Sequence, residues 1–143
     1  MKKEIVDKWD QNKSRLEDVI RTTNMEYASY KTLVEFIVQY ILNNPDDSDD
    51  WDNFKVEQIH EIDDGDYQGT LLFLIPKNRY QPDESEYLIT YVNYGSCSGC
   101  DTLQAIKSYT YDGCDDGRYE NQIKCYMTLC LHLIQNMKYL YEK

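Results

Sequence analysis

The sequence is poor in the residues that build most catalytic sites. Only two histidines, His60 and His132, occur among 143 residues, so little material exists for general acid and base chemistry. The serine elbow, the Walker loop, the dinucleotide-binding glycine motif and the paired-histidine metalloprotease motif are also missing. These absences favour a protein that acts by binding over an enzyme.

Basic residues and long apolar segments are scarce too. No apolar run reaches the roughly 18 residues of a membrane span, and the N-terminus lacks the apolar core of a signal peptide, which predicts no membrane contact and a cytoplasmic location. Fifteen Lys and Arg stand against 26 Asp and Glu, a net formal charge of −11. This charge repels phosphate backbones, so the sequence predicts no direct nucleic-acid binding and favours a basic protein partner.

The rest of the sequence pattern predicts one α+β domain over residues 1–143. This length supports a single hydrophobic core. Apolar residues at helical intervals predict a hairpin of two helices over residues 1–44. In this interpretation Asn24 caps the second helix, which ends before Pro45. The acidic residues that follow predict an exposed linker over residues 45–53.

Residues 54–95 change to the pattern of strands and predict a three-stranded antiparallel meander. The first strand is expected to start at Phe54, and the acidic stretch after Ile62 is expected to form a turn. Apolar residues on both faces predict that the second strand, which Pro76 ends, is central. Residues 96–143 are predicted to form a cysteine knuckle and C-terminal helices, the last one running to about Tyr141.

The sharpest chemical signal is the pair Cys97 and Cys100, separated by the small residues Ser98 and Gly99. Two thiolates at this spacing can occupy adjacent vertices of a tetrahedral metal site, typically zinc. If the last helices form an antiparallel hairpin, position 97 lies opposite His132, which becomes the third candidate ligand. Thiol redox chemistry and a pair of unliganded thiols stay open, although no proline follows Pro82 to complete a thioredoxin-like site.

Three residues are candidates for a fourth ligand: His60, Cys114 and Cys125. His60 is expected to face inward near the end of the first strand, at the same edge of the sheet as the end of the third. Either histidine can instead be an ordinary hydrogen-bonded residue. Cys130 falls on the apolar face of the last helix and is predicted to be a small buried hydrophobe.

Acidic residues cluster in segments predicted to be loops and turns, where they are candidates for contacts with a basic partner. A calcium loop of the EF-hand type is excluded. The loop from Asp112 has Gly117 at its sixth position, but Cys114 stands at the third position and Ile123 stands where the bidentate glutamate belongs. The acidic segments can be ordinary solvated loops. Alternatively, they can imitate the charge of DNA, aided by the 14 tyrosines of the chain. The candidate partner-binding residues are Asp46, Asp47, Asp49, Asp50, Asp63, Asp64 and Asp66.

Three stretches carry a family resemblance: DGDYQGTLLF from Asp64, YGSCSGCDTLQ from Tyr94 and MTLCLHL from Met127. Together they resemble small proteins carried by phages of Gram-positive bacteria, and within that set the chain looks like a zinc-containing type II-A anti-CRISPR protein. The resemblance implies stoichiometric inhibition of Cas9 or its guide RNA complex in the bacterial host cell, during phage infection or prophage carriage. It also implies a structural zinc ion, with Cys97, Cys100 and His132 as matching positions.

Two other functions stay open at this point. One is a thiol-dependent redox protein or enzyme that uses Cys97 and Cys100. The other is a phage structural or assembly protein.

Metal analysis separates zinc binding from thiol chemistry. We expect protein purified without added metal to hold about one zinc ion per chain, and Cys97→Ser to lose both the zinc and stability, since metal affinity contributes directly to folding. A metal-free protein whose two cysteines cycle reversibly with a dithiol would instead establish the redox alternative.

Overall fold

The computed structural model describes residues 2–46, 53–65, 69–95, 103, 106 and 116–140. Within these ranges, three helices and a four-stranded antiparallel sheet are present, which confirms the α+β class. The sheet has one strand more than the predicted meander.

Helix α1 spans Lys2–Thr22 and buries one apolar stripe, as its periodicity predicts. Two polar side chains of α1 reach the end of the following helical segment. Lys8 Nζ donates to the carbonyl oxygen of Leu42 at 3.2 Å, and Asn12 Nδ2 donates to that of Ile41 at 2.9 Å. These bonds satisfy carbonyls that a helix C-terminus leaves without partners, and they hold the two segments antiparallel.

Helix α2 spans Tyr30–Ile37 and continues as a π-helical turn, Val38–Leu42. Its N-cap is Ser29, so the prediction of Asn24 was wrong. The Ser29 hydroxyl accepts from the backbone N–H of Thr32, whose hydroxyl accepts from the Ser29 N–H. A short 3-10 turn, Met25–Tyr27, separates Asn24 from the helix, and the reciprocal capping box fixes the start five residues later.

The sheet contains β1 (His60–Gly65), β2 (Gly69–Pro76), β3 (Tyr87–Tyr94) and β4 (Lys138–Tyr139), in that spatial order. The central position of β2 confirms the prediction made from its apolar residues. The β4 strand was not predicted, because the last helix was expected to continue to Tyr141. That helix ends at Gln135, and Lys138 and Tyr139 then pair with Ile89 and Leu88.

The predicted start of the first strand at Phe54 was wrong. Phe54 forms only an isolated bridge with Lys77, and a 3-10 turn, Val56–Gln58, follows it. Phe54 and Ile59 are both buried, although a continuous strand would place residues five apart on opposite faces. The turn resolves this conflict and delays the strand to His60, so that Asp63 and Asp64 lie within β1 and not in a turn.

Asparagine side chains tie together the two ends of the predicted acidic linker. Asn43 donates to the Phe54 carbonyl at 2.9 Å and accepts from the Phe54 N–H at 2.7 Å. The Asn44 N–H donates to Asn53 Oδ1 at 2.7 Å, and Asn53 is buried. Asn53 is therefore an anchored residue of the fold and not part of an exposed linker.

The C-terminal helix, Asp116–Gln135, packs between α1 and the sheet. The Thr90 hydroxyl of β3 donates to the Leu133 carbonyl at 2.7 Å, inside the core. Cys130 is fully buried, which confirms its predicted role, and desolvation raises the pKa of its thiol to about 12. Among the described residues, no helix combines the length and apolar character needed to cross a bilayer.

The two hydrogen bonds between Asn43 and Phe54, which we call the asparagine clamp, allow a direct test of the fold. We expect Asn43→Leu to lower the free energy of unfolding by about 1 to 3 kcal/mol, because the polar backbone groups of Phe54 lose both partners in a partly buried place. Chemical denaturation measures the change. The exposed neighbour Gln39→Ala serves as the control and should change stability by less than about 0.5 kcal/mol. Equal free energies of unfolding for the two variants would show that the Asn43 hydrogen bonds do not contribute to stability.

Candidate functional site

The region predicted to bind zinc follows β3. Tyr94 ends this strand opposite Gly69, beside the connection between β1 and β2, and Gly95 after it is buried. Cys97, Cys100 and Cys114 lie outside the described residues. The described residues contain no group of three or more His, Cys, Asp or Glu side chains that could hold a metal ion.

His60 does not lie where the sequence placed it. It is exposed and starts β1, whereas the end of β1 that approaches Tyr94 is Gly65. Five residues of strand separate these ends by about 16 Å. The prediction of an inward-facing His60 near the end of the strand was wrong because it placed the strand six residues too early. His60 is therefore a poor candidate for the fourth ligand.

The predicted antiparallel hairpin of the last helices gains support from one contact. The hairpin would place position 107 opposite position 122, and Gln122 Nε2 donates to the carbonyl oxygen of Ile106 at 3.2 Å. Leu103 and Ile106 are both helical and buried, and the Leu103 N–H donates to Tyr30 Oη at 3.1 Å. Position 97, which the predicted hairpin would place opposite His132, lies outside the described residues.

The two described candidates on the C-terminal helix differ in environment. His132 is exposed in its last turn, where an imidazole is accessible to a ligand. Cys125 is half-buried and packs against the core. The two are seven residues apart, about 10 Å along the helix axis, so a single ion can bind only one of them.

The predicted acidic contacts divide between described and undescribed segments. Asp46 is exposed, and its backbone N–H donates to Asn44 Oδ1 at 3.0 Å. Asp47, Asp49, Asp50 and Asp66 lie outside the described residues. Asp63 and Asp64 are exposed in β1, where the strand fixes the positions of their backbone atoms.

All six residues of β1 are exposed, and within the described part of the chain this strand is paired on one side only, with β2. Glu61 and Asp63 project from one face of the strand, and His60, Ile62 and Asp64 project from the other. Tyr94 Oη donates to Asp63 Oδ1 at 2.5 Å, which links the carboxylate to the end of β3. The acidic residues are thus part of a hydrogen-bonded sheet edge, which we call the acidic edge: Glu61, Asp63 and Asp64.

Sequence reasoning missed a second feature, the sheet surface that faces away from the helices. Helices cover the face that contains Phe73 and Ile75, while Leu72 and Leu74 on the other face remain partly exposed. The signal was present in the apolar residues on both faces of β2. That pattern predicts a central strand, but only the positions of the helices show which face stays open.

Comparison of the chain with protein-family models, with curated proteins and with solved structures finds no match.

A substitution at Gly69 tests whether the backbone of the acidic edge is fixed in position. A Cβ at this position would lie 2.2 Å from the backbone oxygen of Asp64, a distance that real atoms do not tolerate. We expect Gly69→Ala to destabilise the protein by more than about 1 kcal/mol and to shift the amide resonances of Asp63 to Gly65. Unchanged stability and resonances would mean that the backbone here adapts freely.

Proposed function

We propose that this protein is a stoichiometric binding inhibitor of a basic nucleic-acid enzyme, and that its target is Cas9 or the Cas9–guide RNA complex. The observation that carries the proposal is the acidic edge, which displays Glu61, Asp63 and Asp64 on an exposed strand. The net charge of −11 makes a basic partner the favoured one. The family resemblance supplies the identity of that partner.

The number of charges per unit length of the acidic edge is close to that of a nucleic-acid strand, and its carboxylates project from both faces of the strand. Three carboxylates occupy four consecutive strand positions, which span about 10 Å at about 3.3 Å per residue. One strand of DNA carries a charge for each 3.4 Å or so along its axis, about three charges over the same length. A protein groove that binds a phosphate backbone can therefore attract this edge.

A structural zinc ion belongs to the proposal as a stabiliser of the fold. Cys97 and Cys100 would supply two thiolates and His132 an imidazole, a donor set that suits tetrahedral zinc. The exposed position of His132 and the antiparallel contact between Ile106 and Gln122 support this assignment. In this proposal the metal holds the segment after β3 against the C-terminal helix and takes no part in a reaction.

Binding to a guide-loaded Cas9 complex tests the proposal. We expect a complex at micromolar concentration whose affinity falls as ionic strength rises from about 0.1 M to about 1 M, since the Debye length then shrinks from about 10 Å to about 3 Å. Glu61→Gln combined with Asp64→Asn should weaken binding by about tenfold at low salt, mostly through a slower association rate.

The matched control removes the same number of charges elsewhere. Asp7 and Asp10 are exposed on α1, and Asp7→Asn with Asp10→Asn lowers the net charge equally without touching the sheet. This pair should bind within about twofold of the wild type, as expected for distant charges that salt screens. Absence of any complex at low salt would refute the Cas9 assignment, and equal losses in both pairs would refute the acidic edge as the contact.

A further inference from the structure

The face of the sheet turned away from the helices forms a largely apolar surface, which also carries His60 and Asp64 on β1 and Lys138 on β4. Leu88 and Thr90 of β3 are buried under the helices, so their neighbours Tyr87, Ile89 and Tyr91 project from the opposite face. Strand pairing then aligns side chains across the sheet. We call this surface the outer sheet face; its apolar members are Ile62, Leu72, Leu74, Ile89, Tyr91 and Leu140.

The register organises these side chains in rows. Leu72 pairs with Ile62 on one side and with Tyr91 on the other, which gives an apolar row across three strands. Leu74 and Ile89 pair in the next row. Four strands at about 4.8 Å spacing make the surface about 14 Å wide, and residues 60 to 64 make it about 13 Å long.

The exposure of this face is unusual for the molecule. Six large apolar or aromatic side chains are strongly exposed among the described residues, and three of them lie here: Ile62 at 40%, Tyr91 at 44% and Leu140 at 45%. Scattered exposed hydrophobic residues are normal in proteins, but a contiguous group marks an interaction surface. The outer sheet face is therefore a candidate contact surface.

We propose that the outer sheet face docks against an apolar patch on the same basic protein that the acidic edge attracts. This inference rests on the proposed function and adds the surface that holds the partner after the encounter. Charge selects the occupant: Asp64 lies on this face, and Glu61 and Asp63 lie along the adjoining edge. A second copy of the chain would bring another net charge of −11 into the complex, whereas a basic partner offers complementary charge.

The arrangement follows the usual anatomy of a protein interface, in which an apolar centre is surrounded by a polar rim. Tyr91 sits in the central row and offers a large contact area at low entropic cost, as do the tyrosines of many hot spots. The carboxylates of the acidic edge, at the rim, accelerate and orient the encounter. Apolar burial in the centre should then govern how slowly the complex dissociates.

The test replaces two side chains of the outer sheet face and compares them with two more strongly exposed tyrosines elsewhere. The variant Ile62→Thr with Tyr91→Thr removes apolar area and keeps the strand preference of both positions. The control is Tyr27→Thr with Tyr80→Thr, at positions that are 84% and 93% exposed, in a 3-10 turn and in the connection before β3. Both variants and the wild type are titrated against the guide-loaded Cas9 complex, with circular dichroism melts as a folding check.

We expect the face variant to bind at least tenfold more weakly, chiefly through faster dissociation, and the control to stay within twofold of the wild type. Wild-type affinity in the folded face variant would overturn the inference while leaving the proposed function intact. A wild-type protein that fails to bind at all would overturn both.

Footprinting keeps the inference testable if the face variant misfolds, and light scattering on the folded proteins tests a second copy as the occupant. Hydroxyl-radical footprinting of the wild-type complex should protect Tyr91 and leave Tyr80 reactive, and equal reactivity of Tyr91 with and without Cas9 would contradict the docking. Light scattering gives the mass of the free protein. A dimer that the face variant converts to a monomer would assign the face to a second copy and refute a basic partner there.

Discussion

Burial of only one face of the sheet is the constraint on which the rest of the structure depends. The helices cover Phe73, Ile75, Leu88 and Thr90, and the three apolar residues among them belong to the same buried core as the apolar residues of the helices. The hydrogen bond from Thr90 to Leu133 fixes the C-terminal helix on β3 inside that core. Because the described helices lie on one side of the sheet, its other face is partly exposed and the strand β1 is exposed.

In the proposed complex, the same constraint separates two kinds of contribution to binding. Carboxylates at the edge act over several ångströms and depend on salt, whereas the apolar rows act only on contact. The sheet holds the carboxylates and the apolar rows at fixed spacing, which lowers the entropy that the protein loses on association. The Tyr94–Asp63 hydrogen bond adds to this order because it connects the two strands on either side of β2.

Long periodic elements could be predicted from the sequence, and short or tertiary ones could not. The helical character of α1 and the central position of β2 follow from local patterns. The strand β4 has two residues and exists only because the chain returns alongside Leu88 and Ile89, which no local pattern encodes. The prediction for His60 was wrong for a related reason, since a 3-10 turn interrupts an alternation that is continuous in the sequence. Acidic residues could be found by composition, but their place on a strand and the open face beside it required the fold.

The asparagine clamp has a consequence for how this protein can change over time. The side chain of Asn43 holds Phe54, and the side chain of Asn53 holds Asn44, so the chain leaves and re-enters the core at neighbouring points. Doubling the length of a connection with fixed ends costs only about 0.6 kcal/mol of closure entropy. The connection between residues 44 and 53 can therefore accept substitutions and insertions with little effect on the core. Sequence changes can accumulate there while the scaffold stays the same.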